Sequence, residues 1–585
     1  MIPGIFFIIA CLLHFGLALF IFTHPVSLSF PLGVFGWELG FRVGGLSASV
    51  FLAAAVFLMI LGVYTAIFMR GKKNSVLFLS SIIFSALCVD GVFLAANLLT
   101  LLFFWEALLI PLWLMIASRG SLAFKTATKA LIIVGVGDFC LMAGAALLWA
   151  QGYTLWFSAP PIMVNNTATS VAFILLFLGA LSKAGALPFH SWIPDAADDA
   201  PLPFMALFPA VMEKLLGIYF LALICLEIFA QPLPSWLGLL MMLTGGITII
   251  FAVLLALVQK DYKKLLSYHA ISQVGYMVLG IGTGLPGGII GGLFHMINNA
   301  LYKSGLFLTS GSVERQAGTT DLARLGGLFS RMPITAVCFI ITAVSISGVW
   351  PFNGFFSKEL IYAAAFKRGA IFYIMAILGS FFTAASFLKL GHAAYWGKIT
   401  PVNKQIKEAP FMMLMPTVVI ALFCIAGGIF HQNIEVYITK IIPFLNHTPI
   451  IHNEAVGEIS GNILVMMTLI ILGGAIINHV FAFRMTGSSL KAAEHINQAP
   501  FLVSFYRRAE NKELDPYEFA KVGMGIFLRW ASAIEARIEN FYEGWAPTLI
   551  NSASAALSRM HSGNYAWYIL WAVGGTISVI IFMLR

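Results

Sequence analysis

Charge is what this sequence lacks. Only 10% of its 585 residues are Asp, Glu, Lys or Arg, against about 25% in a soluble domain, while 60% are hydrophobic. That excludes a soluble globular chain and makes this a polytopic membrane protein. Cysteine is scarce too. Cys11, Cys88, Cys140, Cys225, Cys338 and Cys424 are isolated in apolar runs and form no CxxC pair, which argues against iron–sulfur ligation and a disulfide framework. No GxGxxG opens a helix after a strand and no Walker loop occurs, so no nucleotide site is expected. The expectation is no cofactor on this chain, with any redox chemistry on other chains. The net charge of +9 sits in short loops, which gives no basis for a nucleic-acid partner. The first apolar run, Ile5 to Phe22, has no basic stretch before it and no small-residue cleavage site after it, and reads as a retained helix.

What the chain has is apolar length. Runs of the roughly 20 residues needed to span a bilayer fall at about 2–22, 46–69, 76–97, 98–118, 126–150, 168–187, 201–224, 237–258, 265–284, 286–311, 334–356, 370–397, 410–430, 461–483 and 563–584. The expected fold is all-α, with about fifteen transmembrane helices. The chain divides into N-terminal helices (1–125), a five-helix bundle (126–260), a second such bundle (261–400), C-terminal helices (401–483), an amphipathic segment (484–562) and a last span (563–585). One helix in each bundle is expected to be broken: near 201–224 by Pro201, Pro203 and Pro209, and near 334–356 by Gly348, Pro351 and Gly354. Broken helices persist at membrane depth only where they line protein or a wet cavity.

Basic residues crowd every second loop: Arg70, Lys72 and Lys73; Arg119 and Lys125; Lys260, Lys263 and Lys264; Arg315, Arg324 and Arg331; Lys398, Lys404 and Lys407; and the segment after Arg484. By the positive-inside rule the N-terminus is cytoplasmic. From Tyr517 to Trp545, apolar Phe519, Val522, Ile526, Trp530, Ile534, Ile538 and Phe541 recur every three or four positions. They predict an amphipathic helix about 40 Å long, suited to a membrane surface or to neighbouring subunits.

An ionisable side chain at a helix centre costs about 2.5–3.5 kcal/mol on insertion scales and is read first as functional. Lys183 and Lys214 flank a Pro-rich acidic stretch containing Asp195, Asp198 and Asp199. Glu106, within LLTLLFFWEALLIPLWLMI, is expected to pair with Lys183, each offsetting part of the other's desolvation. Plainer readings exist: Glu106 bonded to a neighbouring helix, and Lys183 snorkelling from a helix end. Asp138 is a further carboxylate in an apolar run. His295, Asn299 and Lys303, spaced i, i+4, i+8, share a helical face and suit a hydrated proton path. Lys389 is another intramembrane cation, with Lys398 at the basic edge. Lys358 beside Glu359 reads as an end-of-helix pair.

The stretches GGLSASVFLAAAV, LLFFWEALLIPLWLMI, LSKAGALPFHSWIPDAADDAP, ALVQKDYKKLLSYHAISQVGYM, GGLFHMINNALYKSGLFLTSGSV and GVWPFNGFFSKELI follow one another over residues 44–400. They resemble the antiporter-like membrane subunits shared by respiratory complex I, membrane-bound hydrogenases and multi-subunit cation/proton antiporters. The resemblance implies that Glu106 and Lys183 are the family's glutamate–lysine pair, that Lys214 is its central lysine, and that His295 and Lys303 belong to the connecting axis. Its distal charged group falls on Lys389 or Lys398. Asn299 stands where the distal complex I subunit often has a second histidine, and Phe208 where that subunit has one. The implied function is proton translocation by a non-redox subunit of an NADH dehydrogenase-like or hydrogenase-like complex in a prokaryotic inner membrane. Its partners are then other membrane subunits, through them a peripheral redox module, and the lipid bilayer. The alternative is a subunit of a Na+/H+ antiporter, and a third class is an inert membrane anchor. The transported ion, the electron donor and acceptor and the stoichiometry stay open.

Overall fold

The computed structural model describes residues 2–33, 36–398, 405–442, 445, 458–493, 496, 500–561 and 563–585. Helices occupy every one of the predicted apolar segments. Among the described residues, 11 helices are long and apolar enough to cross a membrane. The remaining predicted spans are helical but interrupted, polar or short. The chain falls into two units, Met1–Leu514 and Asp515–Arg585.

The first unit opens with α1 (Ile2–Thr23), a two-stranded antiparallel hairpin, β1 (Ser27–Pro31) and β2 (Glu38–Arg42), and then α2 (Gly45–Phe68) and α3 (Ser75–Leu94). The hairpin lies outside the all-α expectation. It is tied down by Gly40, whose amide donates to Thr100 Oγ1 (2.8 Å) and whose carbonyl accepts from Ala96 (2.9 Å). α4 (Leu98–Ala107) and α5 (Leu109–Ala117) form one span interrupted at Leu108, because Pro111 has no N–H for the Ala107 carbonyl. Then follow α6 (Phe124–Ala150), α7 (Thr167–Ala184) and the short α8 (Trp192–Asp199).

The break expected within 201–224 has a different form and place. α9 (Leu202–Leu207) runs through a π turn at Phe208–Met212 into α10 (Glu213–Leu223) without leaving helical geometry. Pro209 donates no backbone hydrogen bond there, and the turn widens to accommodate it. The chain leaves helical geometry earlier, where α7 ends on Gly185 at φ +73°, a left-handed conformation that glycine adopts at little cost.

α11 (Ser235–Val258), α12 (Tyr262–Gly282) and the 32-residue α13 (Pro286–Ala317) come next. α13 packs on α9, α12, α14, α15 and α17 and is buried along most of its length. The second break lies where it was expected. α14 (Pro333–Ser347) stops at Gly348, φ +79°, and α15 (Asn353–Arg368) restarts after Pro351. α16 (Ala370–Gly391), α17 (Phe411–Ile429), α18 (His431–Ile441), α19 (Glu458–Thr486) and α20 (Pro500–Glu510) complete the unit.

In the second unit the amphipathic helix is longer than predicted. α21 (Pro516–Glu539) passes through a π turn at Asn540–Trp545 directly into α22 (Ala546–Met560). At 1.5 Å per residue this rod is about 65 Å long. After it comes α23 (Tyr565–Met583). None of these helices buries a residue, and Phe519, Val522, Ile526 and Trp530 are all more than half exposed.

Candidate functional site

Two glycines allow α6 and α7 to meet. A Cβ at Gly137 would lie 2.0 Å from Ser182 Cβ, and one at Gly179 would lie 2.7 Å from Leu141 Cβ. The backbone contact they permit places Asp138 of α6 beside Lys183 of α7, with Nζ to Oδ2 at 3.1 Å. Both are buried. The second carboxylate oxygen accepts from Trp105 Nε1 at 2.7 Å. Lys183 also donates to the Trp105 carbonyl (3.3 Å) and lies 4.8 Å from the centre of its ring. Both oxygens of the carboxylate are therefore satisfied, which a buried ion pair requires if attraction is to balance desolvation.

This corrects the expected pairing. The direct ion pair of Lys183 is with Asp138 and not with Glu106, whose Oε1 is buried without a hydrogen-bond partner among the described residues. Its neighbour Trp105 points indole and carbonyl into the Lys183 site instead, and Asp138 on α6 supplies the counter-charge. Asp138, expected only as an additional member, is central.

The next lysines rest on carbonyls at helix ends. Lys214 Nζ donates to the Ala184 carbonyl at 2.7 Å, at the C-terminus of α7, and its distance to Glu213 Oε2 is 4.0 Å. Lys358 Nζ donates to the Ile346 carbonyl in the last turn of α14 (2.8 Å) and to Ser380 Oγ (2.9 Å). Lys389 Nζ donates to the carbonyls of Leu257 and Gln259 (2.8 Å to the latter), at the end of α11. The last carbonyls of a helix lack intrahelical partners and carry about half a negative charge. Three buried ammonium groups thus rest on the carbonyls of helix ends, and Lys214 also has the Glu213 carboxylate within ion-pair range.

α12, α13 and α15 carry a connected polar network. His295 joins Ser357 Oγ (2.9 Å) through Nδ1 and Gln273 Oε1 (3.1 Å) through Nε2, with Tyr302 OH at 3.2 Å. Asn298 bonds Ser357 Oγ (3.0 Å) and exchanges a bond with Asn353 (2.9 Å). Lys303 donates to the Leu266 carbonyl at 2.8 Å. Asn299 donates to the Ala210 carbonyl in the π turn at 3.3 Å, which stitches α13 to the widened segment. His269, fully buried, finds no hydrogen-bond partner for either ring nitrogen among the described residues, and its ring lies 4.9 Å from that of Phe387.

Sequence reasoning missed Lys358, His269, Gln273 and Ser357. The signal for Lys358 was available. Adjacent residues on a helix point about 100° apart, so Lys358 and Glu359 do not pair. Lys358 turns inward, and Glu359 accepts from Thr468 Oγ1 of α19 at 2.7 Å. Of the two distal candidates, Lys389 is buried, whereas Lys398 is exposed beyond the π turn that follows α16 and so is not part of the buried array.

The acidic stretch after Lys183 is a bracket. Asp195 binds Lys129 (2.8 Å), Asp199 accepts from Thr126 Oγ1 (2.6 Å) and Asp198 binds Lys264 (2.7 Å). Arg119 donates to the Asp198 carbonyl at 2.7 Å. Burial pushes the Asp198 carboxyl above its usual range even with Lys264 beside it. Among the described residues, no three His, Cys, Asp or Glu side chains converge as a metal site would need.

Comparison with known proteins supplies the family. Residues 95–383 match the family described as NADH:quinone oxidoreductase/Mrp antiporter, transmembrane. A Na(+)/H(+) antiporter subunit of Alkalihalophilus pseudofirmus is 32% identical over 360 residues, which is 60% of this chain and 72% of that protein. NADH-quinone oxidoreductase subunit L of Rickettsia bellii is 30% identical over 416 residues, 68% of this chain and 63% of that protein. A chain in the structure of the membrane-bound sulfane sulfur reductase, an archaeal respiratory membrane complex, has the same fold. It aligns with a TM-score of 0.69 at 21% identity, covering 100% of this chain and 98% of that one.

Proposed function

Because the chain belongs to the NADH:quinone oxidoreductase/Mrp antiporter family of membrane subunits, we propose that it is a proton-translocating, non-redox subunit of a redox-driven respiratory complex. It lies in a prokaryotic cytoplasmic membrane with fifteen spans and a cytoplasmic N-terminus. The observation that carries this reading is the row of buried ionisable groups, from Asp138–Lys183 through Lys214, Lys303 and His269 to His295 and Lys358. Glu106 and Asn299 flank this row, and Lys389 is a side branch from it.

The chemistry follows from burial. An ammonium taken out of water is costly unless compensated, so a change of charge at one lysine alters the balance at the next. Carbonyl-held lysines can release a proton without leaving an unpaired carboxylate behind. Buried polar groups normally find partners in protein or ordered water, and we assign water to the gaps at His269 and beside Glu106. Moving one charge against 100 mV costs about 2.3 kcal/mol, which a reaction on other subunits must supply. The partners are other membrane subunits and, through them, a peripheral redox module, with the 516–560 rod lying laterally against them. A Na+/H+ antiporter subunit is the second reading, favoured by the 32% identity to such a subunit.

The test is proton uptake by proteoliposomes holding the whole complex, driven by its electron donor. Lys183→Ala should abolish acidification while electron transfer loses its coupling. Acidification at the wild-type rate overturns the relay. Uptake that requires Na+ and runs without an electron donor supports the antiporter reading.

A further inference from the structure

A groove of about 470 Å³ runs between α14, α16 and α19, within the roughly 300–1,000 Å³ of small-molecule sites. Its walls are apolar: Phe339 and Val344 from α14, Ala384 and Leu388 from α16, Leu472 and Ile476 from α19. None of these belongs to the polar array. At one end the walls change character. His392 Nδ1 and His479 Nε2 meet at 3.0 Å, with the Phe483 ring 4.4 Å from His392. Both histidines line the groove, as does Trp396. In a neutral histidine pair one ring donates to the other, which leaves one N–H and one lone pair unspent.

The same end is cationic. Arg331 lies two residues before α14, Lys398 follows the π turn at the end of α16, and Arg484 lies in the last turn of α19. All three are exposed. The start of α14 and the end of α16 are joined there by the stacked rings of Phe329 and Trp396, 5.8 Å apart. Glu408, among the described residues at this end, is already committed to the N-terminus of α14. It accepts from the Ile334 amide (2.8 Å) and from Thr335 Oγ1 (2.6 Å).

We propose that this groove binds one acyl chain of an anionic diacyl phospholipid, with the phosphate held at the basic end by the cations and the histidine pair. An acyl chain matches the apolar walls at membrane depth. Each lining helix contributes one cation to the end where a headgroup would emerge, and interfacial basic residues of this kind select anionic lipids. A zwitterionic lipid would leave that charge uncompensated. An apolar segment of a neighbouring subunit would leave both the cations and the spare imidazole N–H without a partner.

The experiment is native mass spectrometry of the purified complex after equilibration with equal amounts of dioleoyl phosphatidylglycerol and dioleoyl phosphatidylcholine. The wild type should retain one phosphatidylglycerol in preference to phosphatidylcholine. The double variant Lys398→Gln/Arg484→Gln should lose about 30-fold of that preference, the order expected for two interfacial cations. Ala384→Phe, which fills the groove, should abolish retention. Should that variant fail to insert, Val344→Trp on the facing wall tests the same point. Equal retention of the two lipids by the wild type overturns the proposal. So does retention unchanged by groove filling, or a photo-crosslinker at Ile476 that captures a neighbouring subunit in place of lipid.

Discussion

Asp138 and Lys183, 45 residues apart on two helices, form a 3.1 Å ion pair whose carboxylate is completed by the Trp105 indole. Removing one partner of such a pair leaves a buried charge alone, at a cost of about 3–5 kcal/mol. Asp138→Ala should therefore lower the thermal stability of the membrane domain and stop proton transport. Asp138→Ala/Lys183→Met should recover much of the stability without recovering transport. A calorimetric scan paired with a transport assay separates the two effects.

Glu106 should behave differently. Its Oε1 makes no hydrogen bond, so Glu106→Gln should cost little stability, under about 1 kcal/mol as for substitutions that break no buried partner. Proton transport should still fall, since an amide does not carry the proton. Transport at the wild-type rate would remove Glu106 from the path.

The neighbours Lys358 and Glu359 point to different partners, and their substitutions should diverge. Lys358→Met should eliminate proton transport while leaving the complex assembled. Glu359→Gln keeps a hydrogen-bonding group for Thr468 and should reduce transport only in part. Equal losses would mean that the two act as one pair, as the sequence alone suggested.

The close approach of α6 and α7 can be tested at Gly137. A methyl there meets Ser182 Cβ at 2.0 Å, so Gly137→Ala should destabilise by about 1–3 kcal/mol, as overpacking does. Transport should be lost as Asp138 is displaced from Lys183. Ser182→Gly in the same chain should restore both, and thermal-shift and transport assays of the wild type and these two variants decide.

The rod of 516–560 has no buried residue and an exposed apolar stripe. Deleting it should leave the first unit folded but weaken co-purification with neighbouring subunits. An intact complex after deletion would assign the stripe to the membrane surface.

Much of this protein is legible in its sequence. Scarce charge and runs of apolar residues specify a polytopic helical membrane protein, because an uncompensated polar group in hydrocarbon is too costly to be incidental. The same cost singles out Lys183, Lys214, Lys303 and Lys389 as cations that need compensation where they are buried, and glycine and proline mark the break between α14 and α15. These inferences are local: each uses only the chemistry of a residue and its near neighbours.

Partner choice is not local. Whether Lys183 meets Glu106 or Asp138 depends on Gly137 and Gly179 letting two backbones touch, and no spacing along the chain encodes that contact. Pro209 marked a disturbance, but only packing against Asn299 and α13 decided that it would be a widened turn and not a break. Lys358 was hidden by the acid beside it until the fold turned one inward and the other towards α19. The sequence by itself determined which residues are too costly to be accidental. The tertiary structure decided which carbonyl or carboxylate compensates each, because that depends on helix ends and close approaches formed by distant parts of the chain.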